Sequence, residues 1–252
     1  MNEQTTPWHH TPLPPGAFKD RVVLVTGASG AIGGAIARHL GALGATLVLL
    51  GKTPCKLEKT YDAIVAAGGP EPLMQPVNFE GAVLDDYAEL AGAVEGTCGR
   101  LDALVLAAAT RGQSTPVELA DPLEFARTMH VDLSAPFLLT QYCLPLLARS
   151  DAARVLALGD RGPAAYGGAY VLAKAALERM IETLAHERDD LLANVLDPGP
   201  TRSELRARAF PGELPEQNPG PEHMLPAAEY LLGPQCAVTG RTFRLAEQEQ
   251  TP

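Results

Sequence analysis

Tyr170 and Lys174 stand out as a pair able to move a proton. They are spaced i, i+4, which on a helix puts both side chains on one face. A free phenol has a pKa of about 10 and is a poor base at neutral pH. A nearby ammonium stabilises the phenolate and lowers that pKa. The spacing therefore suits proton exchange with a substrate oxygen.

A second set of residues suits a phosphate ligand. Thr26-Gly27-Ala28-Ser29-Gly30-Ala31-Ile32-Gly33 comes after a short apolar run and opens a helical pattern. In that context Gly27 permits a tight turn, while Gly30 and Gly33 let backbone and pyrophosphate approach. The helix start, at Ala31 and Ile32, offers unpaired N–H groups and a partial positive charge. The Ser29 hydroxyl is a further donor. The next apolar run ends Leu50-Gly51-Lys52-Thr53, with no carboxylate to bind ribose hydroxyls. Lys52 and Thr53 suit a 2′-phosphate instead, which predicts NADP in preference to NAD.

The spacing Thr-Gly-x-x-x-Gly-x-Gly, Tyr170-x-x-x-Lys174 and the run Asp197-Pro198-Gly199-Pro200-Thr201-Arg202 together resemble the short-chain dehydrogenase/reductase family. The resemblance extends from about Asp20 to Leu245. It implies that Tyr170 passes a proton to or from a carbonyl or alcohol substrate as hydride moves to or from the nicotinamide. Lys174 would also hold the nicotinamide ribose. Asn78 falls where the family has an Asp that touches adenine, and Phe79 would offer its N–H. Ala107 comes after strand four, Pro198, Gly199 and Thr201 would lie beside the nicotinamide, and Ser203 would reach the pyrophosphate. The resemblance further implies a homodimer or homotetramer. Leu138, Leu139, Tyr142, Leu177, Met180 and Ile181 are candidates for its interface, or for the molecule's own core.

The sequence also departs from the family. The serine at the end of strand five corresponds to Ala157, and Asn-Asn-Ala-Gly after strand four becomes Leu106-Ala107-Ala108-Ala109. The Asn of the long fourth helix becomes Asp132, kept as a candidate catalytic residue. Losing one oxyanion-type donor costs roughly 10²–10³ in rate. Asp160, Ser114 and Thr110, on loops at strand ends, are candidates to replace the serine. Two readings are open: an NADP-dependent oxidoreductase with a reduced catalytic set, or a non-catalytic NADP-binding sensor or scaffold subunit.

These residues need a frame to hold them. Short apolar runs at 21–26, 46–50, 73–79, 102–106, 154–158, 192–196 and 241–245 alternate with helical patterns. One of those patterns is a long helical region over 122–147. Such alternation predicts a Rossmann-type, doubly wound parallel sheet of about seven strands with helices on both faces. The expected strand order is 3-2-1-4-5-6-7. Residues 1–17 read as an arm, with order beginning at Arg21, and 18–252 as one domain. The proline-rich stretch 198–226 reads as irregular, with a substrate lid around 200–226.

Composition bounds the function. Among 252 residues the formal net charge is −10, which opposes a nucleic-acid partner. Arg202, Arg206 and Arg208 are too few for a basic patch; Arg202 and Arg206 are weak candidates to attract an anionic substrate. Cys55, Cys98, Cys143 and Cys236 are widely spaced, which predicts free thiols rather than disulfides or a zinc site. His9 and His10 carry no metal motif. No run approaches the ~18 apolar residues of a membrane span. The N-terminal residues hold no signal-like run, so a cytoplasmic protein is expected.

Overall fold

A computed structural model describes residues 10–163 and 165–245. Seven strands form one parallel sheet: β1 (Val22–Val25), β2 (Thr46–Gly51), β3 (Leu73–Pro76), β4 (Ala103–Leu106), β5 (Ala153–Leu158), β6 (Leu191–Asp197) and β7 (Thr242–Arg244). Their order is β3-β2-β1-β4-β5-β6-β7, as expected. Register sets Leu24 opposite Val48 and Leu104.

β1 and β4, at the middle of the sheet, are apolar throughout because both faces are covered. Alternate side chains point to opposite faces. Leu24, Leu104 and Val155 pack against α3 (Leu84–Cys98), α5 (Ala135–Leu147) and α6 (Gly168–Glu187). Val23, Val25, Val105 and Leu156 pack against α1 (Ala31–Ala42), α2 (Pro54–Ala66) and α8 (Leu225–Leu232). Leu139, Leu177 and Ile181 are buried in the first of these cores, and Leu138, Tyr142 and Met180 pack partly against it.

The long helical region expected over 122–147 is present, with a π-helical turn at His130–Ser134 between α4 (Pro122–Met129) and α5; two other expectations are corrected. A π turn adds a residue and reorients the helix beyond it, and such turns gather at functional sites. Asp132 lies on this one.

The stretch expected to be irregular contains α7 (Glu204–Ala209), 3₁₀ turns at Pro215–Gln217 and Pro221–Met224, and the start of α8. Pro226 does not end that stretch. It sits in the first turn of α8, where its missing N–H has no helical partner to lose.

Order also begins before Arg21. The Phe18 side chain is buried and its N–H donates to the Leu43 carbonyl. Upstream, the buried Glu229 of α8 accepts from His10 Nε2 (2.8 Å), the Leu13 N–H (2.6 Å) and His39 Nε2 (2.6 Å). The described part of the arm is thus strapped to the domain. His9 lies outside the described residues.

Candidate active site

The sheet order reverses between β1 and β4, and a doubly wound sheet opens its ligand crevice there. The glycine turn after β1 is clamped to the end of β4. Thr26 Oγ1 accepts from the N–H groups of Ala107 and Ala108, at 2.9 Å each. Gly27 has φ +65°, and a Cβ there would lie 2.8 Å from the Ala107 carbonyl oxygen. At Gly33 a Cβ would lie 2.5 Å from the Gly27 oxygen. Both positions are glycine for packing reasons independent of any ligand.

The helix beyond this turn carries a clearer sign of an anion. Gly30, its N-cap, has no side chain to satisfy the first N–H groups, and the first turn (Ala31, Ile32, Gly33) holds no carboxylate. Such a helix start is suited to pyrophosphate. The Ser29 hydroxyl lies against Gly51 at the end of β2.

Lys52 comes next after Gly51, more than half exposed and paired with Glu80 at 2.8 Å. Thr53 is the N-cap position of α2, and its side chain makes no capping bond. The Asn78 side chain accepts from the Glu80 N–H (3.3 Å), and Phe79 is buried, stacked on Tyr87. These four residues sit at the ends of β2 and β3, away from the cleft that holds the tyrosine.

That cleft lies at the ends of β4, β5 and β6, and its lining includes Ile32, Ala107, Tyr170, Lys174, Pro198 and Ser203. Around the loop after β6, Gly199 N–H donates to Asp197 Oδ1 (2.9 Å), Thr201 Oγ1 donates to the Gly199 carbonyl (3.1 Å), and Ser203 Oγ accepts from the Arg206 N–H (3.1 Å). Ser203 is therefore the cap of α7. On the outer side Lys56 of α2 and Glu204 of α7 form an exposed ion pair at 2.7 Å.

Tyr170 and Lys174 share the inner face of α6, both buried. The Tyr170 hydroxyl donates to Asp160 Oδ2 at 2.9 Å, and Lys174 Nζ donates to the Leu158 carbonyl at 2.7 Å. Lys174 Nζ lies 5.7 Å from the centre of the Tyr170 ring.

This overturns the expectation that Lys174 lowers the tyrosine pKa. Burial, then the Asp160 charge and its hydrogen bond, raise the Tyr170 pKa well above its ordinary value. Arg111 pulls in the opposite direction and is outweighed. Lys174 itself is lowered, chiefly by burial. The phenol is thus held protonated.

Ala157 is the residue that counting places at the family serine's position. It is wholly buried inside β5, paired with Leu106 and Val195. The residue that meets Tyr170 is Asp160, past the strand end. The Thr110 N–H donates to Asp132 Oδ1 at 2.6 Å. Asp132 is fully buried, its Oδ2 has no partner, and burial pushes its pKa up to about 7 against the opposing charge of Lys174.

Of the two candidate arginines, Arg206 is neutralised by two bonds to Glu213, at 2.7 Å each, and Arg202 is exposed. The sequence reading missed Arg111, which lines the same cleft as Tyr170. Nothing in its local pattern marks it, because its importance comes from the tertiary approach of α6 and α7.

The model of the family described as short chain dehydrogenase matches residues 21–214, more than half of the chain. The chain belongs to the short-chain dehydrogenase family. Among its relatives is the uncharacterized oxidoreductase YciK of Escherichia coli (strain K12), 34% identical over 232 residues, which are 90% of this chain and 92% of that protein. A structure solved as a short chain dehydrogenase from Pseudomonas syringae superposes with a TM-score of 0.90 at 40% identity, over 93% of this chain and 98% of that one. One from Shigella flexneri 2a str. 301, complexed with NADP, has a TM-score of 0.89 at 33% identity, over 92% and 99% of the two chains. A third, from Escherichia coli CFT073 complexed with NADPH, has a TM-score of 0.88 at 34% identity, over 91% and 98%.

As a member of this family the chain is a dehydrogenase/reductase built on the Rossmann-type sheet. Among its described residues no helix is long and apolar enough to cross a membrane, and the four cysteines are free thiols.

Proposed function

We propose that this protein is an NADP(H)-dependent carbonyl reductase acting on a small-molecule aldehyde or ketone. The observation that carries the reading is the Tyr170 hydroxyl, which lies in the cleft with Lys174 and is oriented by its hydrogen bond to Asp160. A protonated phenol is an acid, and carbonyl reduction needs an acid at the developing alkoxide.

The residues present fit the cofactor. The uncapped start of α1 suits the pyrophosphate. Lys52 and Thr53, with no carboxylate at the end of β2, suit a 2′-phosphate. The structural relatives solved with NADP and NADPH support the same choice. Pro198, Gly199 and Thr201 would flank the nicotinamide, and Lys174 would hold its ribose.

When bound, the reduced nicotinamide supplies the hydride that goes to the carbonyl carbon. Tyr170 gives its hydroxyl proton to the carbonyl oxygen, releasing its hydrogen bond to Asp160 to do so. Tyr170 is reprotonated from solvent, and the Asp160 carboxylate, which accepts from the phenol, orients its hydroxyl. Asp132, buried beyond Thr110, acts on the charge state of Lys174.

The competing reading, a non-catalytic NADP-binding subunit, rests on the missing serine hydroxyl. Asp160 sets a hydrogen-bond acceptor beside Tyr170 that orients its hydroxyl, which favours the enzyme. The homo-oligomer contact is read onto the outer faces of α5 and α6, where Phe137 and Leu172 are exposed, and the protein is taken to work in the cytoplasm.

The test is NADPH consumption across a panel of aldehydes and ketones. Tyr170→Phe should lose roughly 10²–10⁴-fold in kcat while still binding NADPH. A Tyr170→Phe protein as active as the parent would contradict the reading.

A further inference from the structure

Arg111 is the one residue of the cleft whose charge nothing in the described structure answers. Its side chain is 91% buried, being 9% exposed, and Nε is sealed from solvent without a hydrogen-bond partner. No hydrogen bond or ion pair reaches its guanidinium among the described residues. Its neighbours are aromatic: the guanidinium carbon lies 4.7 Å from the centre of the Tyr170 ring and 5.3 Å from that of Phe210. Cation–π contact offsets part of the desolvation of such a charge but satisfies none of its N–H donors.

The other charges of the cleft are engaged. Lys174 donates to Leu158 and Arg206 to Glu213. Asp160 accepts from Tyr170 and from the Gly162 N–H (2.7 Å). Asp197 accepts from the Gly199 and Arg161 N–H groups, and Asp132 from Thr110. A largely buried guanidinium with open donors is costly unless water or a ligand completes it, and here its Nε is sealed from solvent.

We propose that Arg111 anchors a carboxylate of the substrate, so that the carbonyl compound reduced at Tyr170 is a short oxo acid. This rests on the reductase reading and adds the substrate class. The guanidinium fork matches a carboxylate edge with two parallel hydrogen bonds. One open cation suits a monoanion; a phosphate dianion would face Asp160 with half its charge unanswered. Because Arg111 lies against the ring of Tyr170 itself, the carboxylate and the carbonyl are separated by only a few bonds.

The test compares pyruvate, acetoacetate and levulinate with their methyl esters on the intact protein. Calorimetric binding in the presence of NADP⁺ and NADPH-dependent turnover are both read. An acid should be preferred over its ester by about tenfold to a hundredfold, the range for a charge-assisted pair. Arg111→Leu should remove that preference and Arg111→Lys should restore part of it, with NADPH binding unchanged in both as the check of folding.

Esters binding as well as acids to the parent protein would overturn the proposal without any variant. So would failure of all the acids to bind, or a preference for glyceraldehyde 3-phosphate. If acids bind through Arg111 but no NADPH is consumed with any carbonyl compound, the anion site stands and the reductase reading fails.

Discussion

At the scale of single residues, the site is organised by how burial and charge act on three groups. Asp160 accepts the Tyr170 proton, so its negative charge favours the protonated phenol. Removing that charge should lower the tyrosine pKa. In Asp160→Ser, alcohol oxidation with NADP⁺ should therefore extend to lower pH, by about one unit or more. A pH–rate profile measures this, and an unmoved profile would mean that Asp160 does not set the charge of Tyr170.

Asp132 gives a second pH effect, on stability. Its folded pKa of about 7 lies above the ordinary carboxylate value. The stabilising contribution of the neutral carboxyl is thus complete below about pH 4 and is lost as pH rises through 7. Asp132→Asn keeps an acceptor for Thr110 and carries no charge. Its thermal midpoint should exceed that of the parent at pH 8, with the gap closing towards pH 5. A gap that widens in acid would contradict the assignment.

At the scale of elements, a small number of polar contacts hold the site's flanks. Glu229 of α8 gathers His10, His39 and the Leu13 N–H. Burial opposes its ionisation, yet these bonds keep its carboxyl below the usual range. With a lowered pKa, its contribution is present at neutral pH and is lost in acid. Glu229→Ala should cost about 2 kcal/mol in denaturant unfolding and expose residues 10–17 to limited proteolysis. Unchanged cleavage would show that the segment is held by its apolar contacts alone.

The elements also show what a sequence can reveal. The buried strands, the glycine turn and Tyr170 with Lys174 were legible because each depends on local periodicity or spacing. The π turn at His130–Ser134 was not, since the residues on either side are ordinary helix formers and the extra residue is fixed by where Asp132 meets Thr110. The helix α8 was hidden by Pro226, although the spacing of Ala227, Ala228, Leu231 and Leu232 carried its signal. Asp160 was one of several candidates from sequence; only the fold brings it to Tyr170. Arg111 could not be found, because its aromatic neighbours come from two distant helices.

At the scale of the whole molecule, one parallel sheet sets a division of labour. The ends of β1, β2 and β3 carry the glycine turn, Lys52 and Asn78, proposed to hold the dinucleotide, while the ends of β4, β5 and β6 open on Tyr170, Lys174, Asp160 and Arg111, proposed for the chemistry. The two halves meet where the strand order reverses, so cofactor choice and catalysis can be altered separately. Glu80, paired with Lys52, would have to yield that cation to a 2′-phosphate. Everything proposed for the cleft depends on the first half binding NADP(H). Fluorescence titration of the purified protein with NADPH and with NADH tests that most directly. NADPH should bind at least about tenfold more tightly, and Lys52→Ala should remove most of that margin. Tighter binding of NADH, or no binding of either nucleotide, would contradict the account.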